Sequence, residues 1–208
     1  MRYRYQRTYA MTLQPLDDYA HLMPIIDGWE TEQANYLGGL LYSVVYTISV
    51  IDFGCATGLY LKPFSACGCW VLGLDGEPTA GKLLDLGEFE LCDLREPHDP
   101  FISFLGKPYS LALCIEVAEH LQPEYADTLV DTVASSADVI FWSAARPGQG
   151  GENHYNEQHK GYWLEKFYAR DFELHPQNDY VCEQISANDD CRKVSWLLNN
   201  AMLLTRVV

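Results

Sequence analysis

The chain has 208 residues, 48% hydrophobic and 13% aromatic, enough to bury a sizeable core and too apolar for intrinsic disorder. A formal net charge of −15 argues against a broad nucleic-acid surface, because phosphates are met by Lys and Arg. Seven cysteines lie at 55, 67, 69, 92, 114, 182 and 191, an odd number without disulfide-framework or zinc-ribbon spacing. With no apolar run long enough to span a bilayer and no apolar leader, a reduced, cytoplasmic protein without a membrane partner is expected.

Residues 1–14 read as an arm in which Arg2, Arg4 and Arg7 alternate with Tyr3, Tyr5 and Tyr9. Residues 15–43 carry apolar positions at helical spacing, with Pro24 and Gly28 expected to split them and Gly38-Gly39 to weaken the second piece. This segment either packs on the core or closes over a ligand. Strands are predicted at 46–52, 70–75, 88–92, 109–115 and 138–143, and helices at 57–65, 79–86, 123–134 and 162–170. Two more apolar runs close the chain, 179–185 and 194–207, the last interrupted by Asn199-Asn200. Alternating strands and helices imply a parallel sheet covered on both faces, and two closing strands without a long helix between them fit an antiparallel hairpin at one edge. No internal repeat or linker divides the chain, so it reads as a single domain, 1–208, with an arm and helical cap at 1–44 and a core at 45–208.

The organising stretch is 50–60, VIDFGCATGLY: a β-branched run ending in an acid, then small residues that let backbone approach a ligand. A second strand, WVLGLD, ends in Asp75, 23 residues after Asp52. That is about the distance at which a strand-end carboxylate meets ribose hydroxyls in a nucleotide-type βαβ unit. The dinucleotide pattern Gly-x-Gly-x-x-Gly is not met, since Ala56 and Leu59 hold its second and third glycine positions. Asp-x-Gly-x-x-x-Gly (Asp52, Gly54, Gly58) instead resembles the first motif of class I S-adenosylmethionine-dependent methyltransferases. That resemblance implies an α/β fold: a Rossmann-like three-layer sandwich with a mostly parallel seven-stranded sheet and one antiparallel strand near the edge. It implies S-adenosyl-L-methionine as cofactor, held by Asp52, Gly54, Cys55, Ala56 and Gly58. Asp75 would take the ribose hydroxyls, Asp93 and the Leu94 backbone the adenine, and the Ile115-Glu116 backbone the side beside the sulfonium. Asp93 can equally be a solvated turn aspartate.

Residues 114–121, CIEVAEHL, place Glu116, Glu119 and His120 on adjoining faces if one helical turn carries them. The segment resembles the Glu-x-x-Glu-His stretch of ubiquinone-biosynthesis and small-RNA 2′-O-methyltransferases, which implies a divalent cation, Mg2+ or Mn2+, on Glu116, Glu119 and His120 with a later histidine, His154 or His159. The alternative is two glutamates at a helix start, with His120 as pocket wall or base. The loop GQGGENHYNEQH at 148–159, followed by Tyr162-Trp163 and Phe167, resembles the loop after the fifth strand in a group of bacterial methyltransferases. A proline commonly stands there at the place of His159, which favours His154. Asn156 and Gln158 either contact a polar substrate or satisfy the loop, and the three aromatics read as helix packing. The reaction implied is methyl transfer to a hydroxyl of a small-molecule or glycan-like acceptor, with His120, His154 and Glu116 as catalytic residues. A nucleic-acid 2′-O-methyltransferase, disfavoured by the net charge, and a non-catalytic cofactor-binding partner subunit are the rivals.

Overall fold

A computed structural model describes residues 23–80, 88–193 and 195–207. The arm at 1–14, with its Arg and Tyr residues, and most of the helix predicted at 79–86 lie outside them.

Seven strands form one sheet: β1 (Ser49–Phe53), β2 (Trp70–Asp75), β3 (Glu88–Leu91), β4 (Leu111–Ile115), β5 (Val139–Ser143), β6 (Phe172–Leu174) and β7 (Met202–Arg206), in the order β3-β2-β1-β4-β5-β7-β6. All pairings are parallel except those of β7, which runs antiparallel to both β5 and β6. The expected fold is therefore the observed one, with the reversed strand next to an edge. Strand side chains alternate between two cores, as the period of two requires. Ile51, Phe53, Leu72, Leu74, Ile140 and Trp142 face α3 (Ala126–Ser136) and α4 (Lys160–Tyr168) through Leu129, Val133, Trp163 and Phe167. Val50, Val71, Leu111, Leu113, Phe141 and Leu203 face α1 (Met23–Val44), α2 (Lys62–Ala66) and α5 (Asn178–Ala187) through Leu37, Leu41, Phe64, Val181 and Ile185.

Three expectations are corrected. Helix α1 is continuous over Met23–Val44: Pro24 lies in its first turn, where a missing N–H is harmless. Gly38 has a packing reason, since a Cβ there would overlap Pro63 of α2. The run 179–185 is helical, because Val181 and Ile185, four apart, are buried while Tyr180 is exposed. Strand six is instead the three-residue β6, with only Phe172 buried. Between β6 and β7 lie α5, α6 (Asp189–Lys193) and α7 (Ser195–Asn200), so the two strands pair without forming a tight hairpin. No helix among the described residues is long and apolar enough to cross a membrane.

Candidate functional site

The carboxyl ends of β1, β2 and β4 meet at the point where strand order reverses, the place where open α/β sheets bind ligands. The loop after β1 is pinned to β2 by Gly54 and Cys55, whose N–H groups donate to Leu74 O at 2.8 and 2.9 Å. Gly54 has φ +77 and packs on Val117, where an added Cβ would lie 2.5 Å from Cγ2. Glycine is thus required by both conformation and space. Ala56 is also left-handed, at φ +46, and its N–H donates to Asp75 Oδ2 at 2.8 Å while Glu77 N–H donates to Oδ1 at 2.8 Å. One carboxylate therefore shapes the loop and keeps further lone pairs for hydroxyl donors.

The rim is electrostatically unusual. Asp52, 3% exposed, has its carboxyl pushed up to about 8 by burial, with a further contribution from Asp75. Burial also raises Asp75, against the pull of its backbone donors Glu77, Ala56 and Gly76. Such a pair favours a cationic ligand. Asp93 is held differently: Arg95 reaches it through Nε and Nη2 at 2.9 and 2.7 Å. Burial opposes ionisation there, yet Arg95 keeps the carboxyl below its usual value.

After β4 the helical turn expected for 116–120 does not form. Glu116 sits at φ +53, outside the short 3-10 turn Ala118–His120, and its backbone N–H donates to Ser143 O at 3.0 Å. Its carboxylate receives Gln149 Nε2 at 2.7 Å and Asn200 Nδ2 at 3.1 Å, and Asn200 Nδ2 also donates to Gln149 Oε1 at 2.8 Å. This closed ring joins the end of β4, the glycine-rich loop and the end of α7. A left-handed glutamate is costly, and the ring is what holds it.

The structure groups Glu119, His120 and His154, whose ligand atoms all lie within 4.8 Å of one another; Glu116 is not one of these three, though its carboxylate acts directly on that of Glu119. Glu119 is fully buried and neither of its carboxylate oxygens has a hydrogen-bond partner. Burial, and then Glu116, raise its carboxyl well above the usual range. The His120 and His154 rings meet edge to face at 4.8 Å. Glu119 O accepts from Tyr155 and Asn156 N–H at 2.8 and 3.0 Å, which docks the later loop on the earlier segment. A buried, orphaned carboxylate beside two imidazoles fits a divalent cation.

His159 is exposed at the start of α4, so His154 is the histidine brought to the site. Asn156, buried, accepts from Gln158 Nε2 at 2.9 Å, and Gln158 N–H donates to Ala145 O at 3.0 Å; both serve the loop. Trp163 and Phe167 are core, packed on Trp142 at 5.2 and 5.0 Å. The helical cap packs on the sheet through Leu37 and Leu41, and next to the loop after β1 Glu30 accepts from Tyr60 OH at 2.8 Å while Gln33 Nε2 donates to that hydroxyl at 2.6 Å. Sequence reasoning missed Glu30, Glu157 and Asn200. Only the interruption of the last apolar run by Asn199-Asn200 hinted at the last of these.

No curated protein matches the chain. Its fold resembles magnesium protoporphyrin IX methyltransferase from Synechocystis PCC 6803 with bound S-adenosylmethionine (13% identity, TM-score 0.59, covering 94% of this chain and 87% of that one). It is similar to DesVI of Streptomyces venezuelae (11% identity, TM-score 0.63, 92% and 99%). A putative methyltransferase in complex with the Haloferax volcanii Trm112 methyltransferase activator is similar too (12% identity, TM-score 0.64, 92% and 98%). Likeness at this level is of fold. The profile of the family described as a methyltransferase domain matches residues 30–175, most of the chain and every element of the rim. Profile, strand order and neighbours agree: the chain belongs to the class I S-adenosylmethionine-dependent methyltransferases.

Proposed function

We propose that the protein transfers the methyl group of S-adenosylmethionine to a hydroxyl of a small-molecule or glycan-like acceptor. The observation that carries this reading is the meeting, at one rim, of the Asp75-braced loop with a buried carboxylate and two imidazoles. The cofactor, when bound, supplies an electrophilic methyl on a sulfonium. Asp75 accepts the ribose hydroxyls, and the 54–58 backbone and Asp52 face the methionine end. Leu94 backbone and Asp93, steadied by Arg95, flank the adenine, and the Ile115-Glu116 backbone lines the side next to the methyl. The protein's main contribution is alignment, which can supply ~7–11 kcal/mol of a barrier. Removal of the acceptor proton by His154 or His120 adds about 10²–10⁴-fold.

Alternatively, Glu119, His120 and His154 would hold a divalent cation, which lowers the pKa of a bound hydroxyl and would stand in for His154 as base. One carboxylate and two imidazoles suit Mn2+ better than Mg2+, which prefers oxygen ligands. Expected in a panel of hydroxylated and amine acceptors is S-adenosylhomocysteine formation with hydroxyls, lost in His154→Ala. Turnover confined to amines overturns the acceptor assignment, and full turnover after exhaustive chelation, unchanged by added Mn2+, removes the metal.

A further inference from the structure

Glu157 belongs to none of the groups singled out from the sequence, yet two backbone N–H donors and the His154 imidazole converge on it. His154 Nδ1 lies 3.0 Å from Oε1, Gly150 N–H donates to the same oxygen at 2.7 Å, and Gly148 N–H donates to Oε2 at 2.8 Å. We propose that Glu157 is the positioning residue of His154: it fixes the imidazole tautomer that carries its proton on Nδ1 and keeps the Nε2 lone pair for the acceptor. The inference rests on the proposed function in one respect, the use of His154 as base.

The chemistry follows from donor counting. An ionised carboxylate only accepts, so the nitrogen facing it must bear hydrogen, and a neutral imidazole then has its lone pair on the opposite nitrogen. The segment between the two partners is anchored independently, by Tyr155 and Asn156 N–H on Glu119 O. The pair is thus held in register from both ends, unlike a surface ion pair between free side chains.

Gly151 completes the arrangement. A Cβ built on it would overlap Nε2 and lie 2.5 Å from Cε1 and 2.7 Å from Cδ2 of His154. Such similar distances place it over the ring's face, not in its plane. Glycine there lets the loop lie over the face of the imidazole. The side chain is 11% exposed, so the tautomer is set by protein partners more than by water. One carboxylate thus takes both the glycine-rich loop, through Gly148 and Gly150 N–H, and the His154 imidazole.

Nitrogen-15 NMR of the labelled protein at mildly alkaline pH reads this directly, with His154 assigned by its absence in His154→Gln. Expected is a protonated Nδ1 and an unprotonated Nε2 in the wild type. Glu157→Ala should move the resonances toward the Nε2–H tautomer that predominates in a free histidine side chain. Glu157→Gln, whose amide oxygen still accepts one N–H, should fall between. Alongside, kcat should drop roughly 10–100-fold in Glu157→Ala, with KM and S-adenosylhomocysteine affinity within about twofold of wild type. A wild-type Nε2–H tautomer, or one that Glu157→Ala leaves unmoved, overturns the proposal and reduces Glu157 to a loop brace. The wild-type spectrum decides even if the variant unfolds. Because the tautomer is read without turnover, a protein with Nδ1–H but no methyl transfer supports the pairing and counts against the proposed function alone.

Discussion

Asp52→Asn separates what the rim does for binding from what it costs the fold. The Asp52 carboxyl is raised from 3.8 to about 8, chiefly by burial and then by Asp75. A raised acid binds more protons folded than unfolded between those values, so ∂ΔG/∂pH is negative there. The stability it contributes is complete below about pH 4 and is lost progressively up to about pH 8. At about 1.36 kcal/mol per pH unit, the loss is on the order of 5 kcal/mol by pH 9, an upper figure because relaxation and water entry soften burial costs. Asparagine keeps the shape without the titration. Chemical denaturation from pH 5 to pH 9 should therefore show wild-type stability falling and Asp52→Asn staying flatter, ending the more stable of the two above pH 8. The same variant should bind S-adenosylmethionine more weakly, because a cationic ligand favours the charged form of Asp52. Calorimetry of wild-type binding near pH 7, in buffers of different ionisation enthalpy, should show proton release that the variant lacks. Parallel stability curves for the two proteins across that range would refute the reasoning.

Asp75→Ala removes an acceptor for two ribose hydroxyls at roughly 1.5–3 kcal/mol each; calorimetry should show cofactor affinity falling by about 10²–10⁴. Asn200→Ala opens the ring on Glu116 and should lower kcat/KM by about 10–100-fold with S-adenosylhomocysteine affinity unchanged, since a hydrogen bond to a charged group is worth about 1.5–3 kcal/mol. In α1, Gly39→Ala meets nothing within 4 Å and should stabilise the fold by about 1 kcal/mol. Gly38→Ala, driven onto Pro63, should destabilise by about 1–2 kcal/mol once overpacking exceeds the same propensity gain; thermal unfolding of the two variants should shift in opposite directions.

The centre of the sheet was legible because β1, β2 and β4 are β-branched or apolar runs with an acid at or next to their ends: Asp52, Asp75 and Glu116 mark the rim by position alone. The far edge was not. Phe172–Leu174 is too short to show a period, and Val181 and Ile185 belong to a helix that also carries exposed Tyr180 and half-buried Cys182, so the run looked like a strand. At the site, spacing put Glu116, Glu119 and His120 on one helical turn, but only Ala118–His120 turns, and Glu116 leaves it through a left-handed φ that no local residue pattern announces. The ring that holds it draws on Asn200, 84 residues away, and such a partner is visible only once the sheet has brought α7 over β4. Glu157 went unnoticed for another reason. Its neighbours His154, Asn156 and Gln158 looked equally polar, and only geometry shows that two backbone N–H donors and the imidazole choose the glutamate.

The account stands on the shape of one rim, and a crystal structure with S-adenosylhomocysteine tests that shape most directly. The expected density runs over Gly54–Gly58, with both ribose hydroxyls on Asp75 and the adenine beside Leu94. A ligand lying elsewhere, or the protein's own side chains filling that rim in its place, would contradict it.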